Sequence, residues 1–236
     1  MTWSIVVRDP KTGAFGVAVA TKFFAVGAIC PYGKSEVGAA STQALVNPFY
    51  GITGIKMLEA GVPAPEALRI LTQADAGRET RQFHMIDAAG SNAAHTGRDC
   101  VEWSGHVIAE NVSVAGNMLA GPQVIHETLK AYQASMDQPL DERLLRALEA
   151  GDAAGGDKRG RQSACLVIHA GEEYPQLDIR VDDHTLPLPE LRRLRDVART
   201  HYLPFTGCLA KKGDPVGIYD RAKVMDVIAK AQAALS

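Results

Sequence analysis

The chain opens with short runs that are apolar at nearly every position. "WSIVVRD" (3–9) and "FGVAVAT" (15–21) are rich in β-branched residues, and "DPKTG" between them carries the Asp, Pro and Gly of a tight turn. That spacing predicts a β-hairpin. "VGAICPYG" (26–33) and "SEVGAASTQA" (35–44) repeat the strand pattern, and the density of Gly and Ala in the second and fourth runs suits close approach of another layer or a ligand. The period then changes. "YGITGIKMLEAG" spaces Ile52, Ile55 and Leu58 by three and ends on Gly61, and "PEALRILTQAD" begins at Pro65 with Leu68 and Leu71 on one face, so two helices are predicted.

Strands return in "RQFHMIDAAGSNAAHTG" around a turn at "DAAGSN", and "HVIAENVSVAGN" extends the sheet. "GPQVIHETLKAYQAS" and "PLDERLLRALEAG" read as amphipathic helices, the latter with Leu144, Leu145 and Leu148 on one stripe and its end at Gly151. "QSACLVIHA" and "QLDIRVDD" read as strands, "PLPELRRLRDVART" as a helix, 201–216 as irregular, and "YDRAKVMDVIAKAQAAL" as a closing helix. Alternating blocks of hairpins and helix pairs predict an α+β fold with two mainly antiparallel sheets between helical layers. Strands apolar on both faces, such as "GVAVA", require cover on both sides. A four-layer αββα sandwich meets that requirement. The expected organisation is one domain over residues 1–200, with residues 201–236 packed on it.

At 236 residues, 46% apolar, 22% charged and net charge −2, the chain has neither the basic bias of a nucleic-acid binder nor a run long enough to span a membrane. "MTWSIVVRDP" lacks the basic start and apolar core of a secretion signal, so a cytoplasmic location is expected. Cys30, Cys100, Cys165 and Cys208 are scattered without metal-like or disulfide-like spacing and are expected as buried thiols. No cofactor is implied. A small-molecule substrate or ligand, anionic in one reading, is the expected partner, with a homodimer as the expected assembly.

Charge and glycine concentrate in "GDAAGGDKRGRQSACLVI" (151–168). Successive glycines can turn backbone N–H groups into an anion-binding nest, with Lys158, Arg159 and Arg161 adding charge, while a plain helix-to-strand connector has the same composition. The loop matches no nucleotide P-loop. "RVDDH" (180–184) offers Asp182, Asp183 and His184 either as ligands for a metal ion or as ion-pair partners for the arginine-rich loop. The remaining histidines show no ligand spacing. The amides of Gln43 and Asn47 in "STQALVNP", with backbone N–H groups near Ser41, are candidate donors to a developing oxyanion or fasteners of the loop before Pro48.

The runs "FGVAVATKFFAVGA", "VGAASTQALVNPFYG", "GNMLAG", "EAGDAAGGDKRGRQSA" and "IRVDDH", in that order, resemble the family called domain of unknown function 1028 over about Thr2 to Leu194. That family is similar in fold to the N-terminal-nucleophile (Ntn) hydrolases, which are αββα sandwiches. The resemblance implies an amide hydrolase in which Thr2, once Met1 is removed, is the nucleophile and its own amine the base. Lys22 is then the expected charged partner, and Ser41, Thr42 and Gln43, on a strand that the resembled fold would place beside the first one, join the catalytic candidates. Asn117 joins Asp157, Arg159, Gln162 and Ser163 as expected substrate or anion contacts. Two other readings stay open: an anion-binding protein without catalysis, and a metal-dependent enzyme built on "RVDDH".

Overall fold

The computed structural model describes residues 2–234. The first hairpin forms as its pattern predicts: β1 (Thr2–Arg8) and β2 (Phe15–Thr21) pair antiparallel, Thr2 opposite Thr21. Its turn closes through Gly13 N donating to Asp9 O at 2.8 Å with Gly13 at φ 74°, a region glycine enters without steric cost. The next expected strand forms only in part. Val26–Ala28 is a 3₁₀ turn, because Ala25 N donates to Asp182 O and Val26 N to Ser163 Oγ, which takes both donors out of any ladder. Pairing resumes in β3 (Pro31–Lys34) and β4 (Gly38–Ala44).

Helices α1 (Pro48–Glu59) and α2 (Ala64–Ala74) follow, the first capped by Asn47 Oδ1 accepting from Phe49 N and left through Gly61 at φ 84°. Then come β5 (Arg81–Asp87), β6 (Asn92–Thr96), β7 (Gly105–Ala109), β8 (Val112–Asn117), α3 (Gln123–Ala134) and α4 (Leu140–Ala153). Gly151 does not end α4. It lies inside the helix because a Cβ there would strike Thr128 Oγ1 of α3 and the Trp3 indole, so the glycine serves close packing. Strands β9 (Ser163–His169) and β10 (Leu177–Val181) precede α5 (Pro187–Val197). The segment read as irregular from 201 begins instead as helix: a π-helical turn Ala198–Tyr202 runs into α6 (Leu203–Thr206), and α7 (Arg221–Ala233) packs against both. The expected end of that last helix at Leu235 lies outside the described residues.

The fold is mixed α+β with two antiparallel sheets, ordered β10-β9-β2-β1-β8-β7 and β3-β4-β5-β6. Trp3, Ile5 and Val7 of β1 bury one face of the first sheet against Leu144, Leu145 and Leu148 of α4, each leucine contributing about 2 kcal/mol. Tyr50, Leu58 and Leu71 of α1 and α2 cover Phe83 and Met85 on the second sheet. Between the sheets, Val6, Phe15, Val17 and Val19 meet Ala39 and Ile86, with the Cys30 and Cys165 thiols among them. All four cysteines are free and buried. No helix among the described residues is long and apolar enough to cross a membrane.

The other half of the inter-sheet layer is polar. Ser4 Oγ donates to Gln43 Oε1 at 2.6 Å and lies 2.8 Å from His84 Nε2, while His84 Nδ1 lies 2.9 Å from Ser113 Oγ. One hydroxyl proton cannot serve two acceptors, so Ser4 accepts from His84 Nε2–H and the Ser113 hydroxyl donates to Nδ1. Burial, aided by the His106 charge, pushes the His84 imidazole down to about 3.

Two predictions follow from this packing. Because the folded pKa of His84 lies below the unfolded value, its contribution to stability is complete above about pH 6.5 and is lost toward pH 3, at about 1.4 kcal/mol per pH unit. Urea unfolding of wild type and His84→Asn across that range is expected to differ by this slope, with the variant less stable at pH 7; parallel curves would refute it. Gly151→Ala is expected to cost about 1–3 kcal/mol by overpacking, read from the same unfolding curves.

Candidate functional site

Antiparallel pairing lines up one end of four adjacent strands, and each places a polar residue there. Ser163 of β9 stands opposite Thr21 of β2, Thr21 opposite Thr2 of β1, and Thr2 opposite Asn117 of β8. All four are buried, Thr2 at 6% exposure. The Thr2 and Thr21 hydroxyls are 3.1 Å apart. Asn117 Nδ2 donates to Gln82 Oε1 at 3.0 Å, and Gln43 Nε2 donates to the same oxygen at 2.7 Å and reaches Thr2 O at 3.5 Å. The row thereby joins the polar inter-sheet layer. Thr21 was missed in the sequence because a threonine ending a strand is unremarkable until register places it beside Thr2.

The glycine-rich loop crosses this end of the sheet as a tether. The Asp157 carboxylate accepts from Lys22 N at 2.7 Å and from Arg159 N at 2.8 Å, and its backbone bridges to Leu119 just beyond β8. Arg159 pairs with Asp157 at 3.3 Å and Arg161 with Asp152, so both arginines are neutralised within the loop, while Lys158 donates to Glu102 O at 3.3 Å. Lys22 donates its ammonium to Arg161 O at 3.2 Å in an exposed position, and only its backbone N–H enters the buried set. Gln162 N donates to Thr21 O, and Ser163 Oγ donates to Phe23 O at 2.6 Å and accepts from Val26 N, fastening the turn after β2.

Of the trio on β4, alternation sends the side chains two ways. Ser41 and Gln43 face the first sheet across the layer rather than lying beside β1, and Ser41 Oγ is buried without a partner. Thr42 faces away and donates to Asn47 O at 3.2 Å. Asn47 itself caps α1 and donates to Asp75. "RVDDH" runs beside the tether: Gln162 Nε2 donates to Asp183 Oδ1 at 3.1 Å, and His184 N donates to Gln162 O. The expected ion pairs between loop arginines and Asp182 or Asp183 are replaced by pairs within each segment, Arg180 taking Asp178 at 2.7 Å. His184 Nδ1 accepts from Leu186 N, and no three His, Cys, Asp or Glu side chains among the described residues form a metal-binding group.

Beside the row lies a cleft of about 330 Å³ lined by Asn117, Ala44, Leu45, Cys100, Val101 and Met118, among others. Two of these, Ala44 at φ 67° and Met118 at φ 55°, are non-glycine residues in left-handed conformation, each at or just past the end of a strand. Such backbone persists only where the surroundings hold it, and it concentrates at functional sites. Apart from Asn117, the sequence offers none of these residues as a site candidate, Cys100 being expected only as a buried thiol, because neither small apolar side chains nor φ carries a local signal. Burial pushes the Cys100 thiol up, which keeps it protonated.

The tether makes a testable contrast. Asp157→Ala strands two part-buried backbone N–H donors and is expected to cost about 1–3 kcal/mol, whereas Arg159→Ala, whose guanidinium is partly exposed, is expected to cost under about 1 kcal/mol in thermal unfolding.

Comparison with known proteins places the chain. The model of the family of unknown function DUF1028 matches residues 2–191. The crystal structure of protein SPO2555 from Silicibacter pomeroyi, itself assigned to DUF1028, superposes with a TM-score of 0.87 at 31% identity, covering 93% of this chain and 96% of that one. No curated protein matches the chain. A family match across most of the sequence and a structural relative of nearly equal extent agree, and the chain belongs to the DUF1028 family.

Proposed function

We propose that the protein is an Ntn-type amide hydrolase with Thr2 as nucleophile, and that its two sheets and flanking helices are the αββα sandwich of that superfamily. The observation that carries this reading is the polar row. It sets a threonine hydroxyl at the first position of a central strand, 3.1 Å from Thr21 Oγ1, in register with the Asn117 amide, beside a cleft that Asn117 lines.

The chemistry requires a free amine on Thr2, so Met1, which lies outside the described residues, must be removed. The freed α-amino group, with an ordinary pKa of about 7.7–8.0, takes the proton of Thr2 Oγ1 as that oxygen bonds to the substrate carbonyl carbon. Donors aimed at the resulting oxyanion stabilise it, and the Asn117 amide is the side-chain donor in register with Thr2. The carbon–nitrogen bond then breaks, the amine passing its proton to the departing nitrogen. Water, deprotonated by the same amine, hydrolyses the acyl ester and restores Thr2. Lys22 contributes through its backbone bond to Asp157, its ammonium being held at Arg161 O.

The test is turnover of an amide library by full-length protein whose first residue is verified as Thr2 by mass spectrometry. Thr2→Ala is expected to lose at least about 10³-fold in kcat and Thr2→Ser to retain part of it, with the rate rising through the pKa of the amine near pH 8. Lys22→Ala is expected to keep most of the activity. Full turnover by Thr2→Ala, or by protein that retains Met1, would overturn the proposal.

A further inference from the structure

A second and larger cavity, about 570 Å³, opens at the opposite end of β1, where the chain leaves the strand through Asp9. It lies about 20 Å from Thr2, the length of a seven-residue strand, and owes nothing to the catalytic reading above. Its volume falls within the range of small-molecule sites. Leu140, Ile168, Leu177 and Leu203 give it apolar walls.

Its charged groups are unevenly satisfied. Asp9 accepts from Thr12 Oγ1 at 2.7 Å, from Arg143 Nη2 at 3.2 Å and from Lys11 N at 3.4 Å. Burial pushes the Asp9 carboxyl up, but Thr12 and Arg143 outweigh it and hold the group below its usual range. Asp141 is taken by Arg195 at 2.5 Å and Asp137 by Gln138 at 2.7 Å. The cations keep spare donors. Arg143, only 3% exposed, spends one nitrogen on Asp9 and another on the Met136 thioether at 3.4 Å, a weak acceptor, and its Nε is buried without a partner. The Tyr132 ring 5.5 Å from its guanidinium carbon offers no lone-pair acceptor to that nitrogen. At the rim, Lys11 makes a 3.5 Å contact to Met136 O and acts on the exposed Asp137 carboxylate without an ion-pair contact among the described residues, and Arg199 makes no ion pair among them either. A buried guanidinium with an unmet donor is destabilising unless an acceptor reaches it.

We propose that this cavity binds a small aliphatic monocarboxylate, its oxygens on Arg143 with Lys11 and Arg199 at the rim and its chain against the leucine and isoleucine walls. A carboxylate suits the site because one of its oxygens can accept a charge-assisted hydrogen bond from Nε, the guanidinium nitrogen that neither Asp9 nor Met136 takes. An apolar body suits the walls. Asp9 already takes part of the Arg143 charge, so Lys11 and Arg199 supply the remaining attraction for one carboxylate, and each further negative charge would meet Asp137 and Asp141 unopposed.

Hexanoate serves as the probe and hexanamide as its neutral counterpart, titrated calorimetrically into the full-length protein. Hexanoate is expected to bind with Kd of about 1 mM or tighter and at least about tenfold better than the amide. Methyl NMR shifts are expected at Leu140, Ile168 and Leu177, and Thr2→Ala is expected to bind equally well. Ala170→Trp fills the cavity from its partly exposed wall and is expected to abolish binding with unchanged circular dichroism. Absence of hexanoate binding, equal binding of the amide, retention in a folded Ala170→Trp, or shifts confined to residues around Asn117 would each overturn the proposal; should Ala170→Trp not fold, the wild-type methyl shifts decide.

Discussion

The structure turns on the matching of buried polar groups between its two sheets. Ser4 and Asn117 from one sheet and Gln43, Gln82 and His84 from the other are almost wholly excluded from water, and each would be costly there alone. Together they satisfy one another. Gln82 Nε2 alone reaches Thr96 Oγ1, Gly105 O and Gly116 O within 3.0 Å while its Oε1 receives Gln43 and Asn117. A slip of one residue in β1, β4 or β5 would turn this set onto the helices and strand every member, so the network specifies register more sharply than the neighbouring apolar packing does.

That register is what brings the candidate site together. With β1 flanked by β2 and β8 and all three antiparallel, the first residue of β1 must meet the last residues of both neighbours, and β9 adds its own first residue to the row. The connections that leave these strands then cross the same end of the sheet. Asp157 holds them by accepting backbone N–H groups from residues on both sides, a use of a carboxylate that needs no ligand and leaves the nearby arginines to be neutralised within a few residues of chain.

The same strand carries contrasting environments at its two ends. At Thr2 the polar atoms are neutral and mutually bonded, and the adjoining cleft has backbone held in left-handed conformation. At Asp9 a full charge pair is buried, with the guanidinium partner only partly satisfied. Neutral hydroxyls and amides suit chemistry on an uncharged bond, whereas a buried guanidinium selects for charge.

The hairpins, the helix pairs and the antiparallel character of both sheets were legible in the residues, because periods of two and of three to four, with Asp, Pro, Gly and Asn at the breaks, are local properties that one segment expresses alone. Thr2, Gln43, Asn117 and Ser163 were also marked in advance, chiefly through the family resemblance. What tertiary structure decided was partnership. The 26–28 segment left its ladder because Asp182 O and Ser163 Oγ claimed the Ala25 and Val26 donors at its start, Gly151 stayed helical because Trp3 and Thr128 crowd it, and β4 came to face β1 rather than flank it. The arginine loop found its counter-charges in Asp152 and Asp157 rather than in "RVDDH", since a carboxylate a few residues away costs less chain entropy to reach. The cleft, Thr21 and the cavity at Asp9 were invisible in the sequence for one reason: each is made by residues far apart in the chain whose contact depends on strand register, and register is a property of pairs.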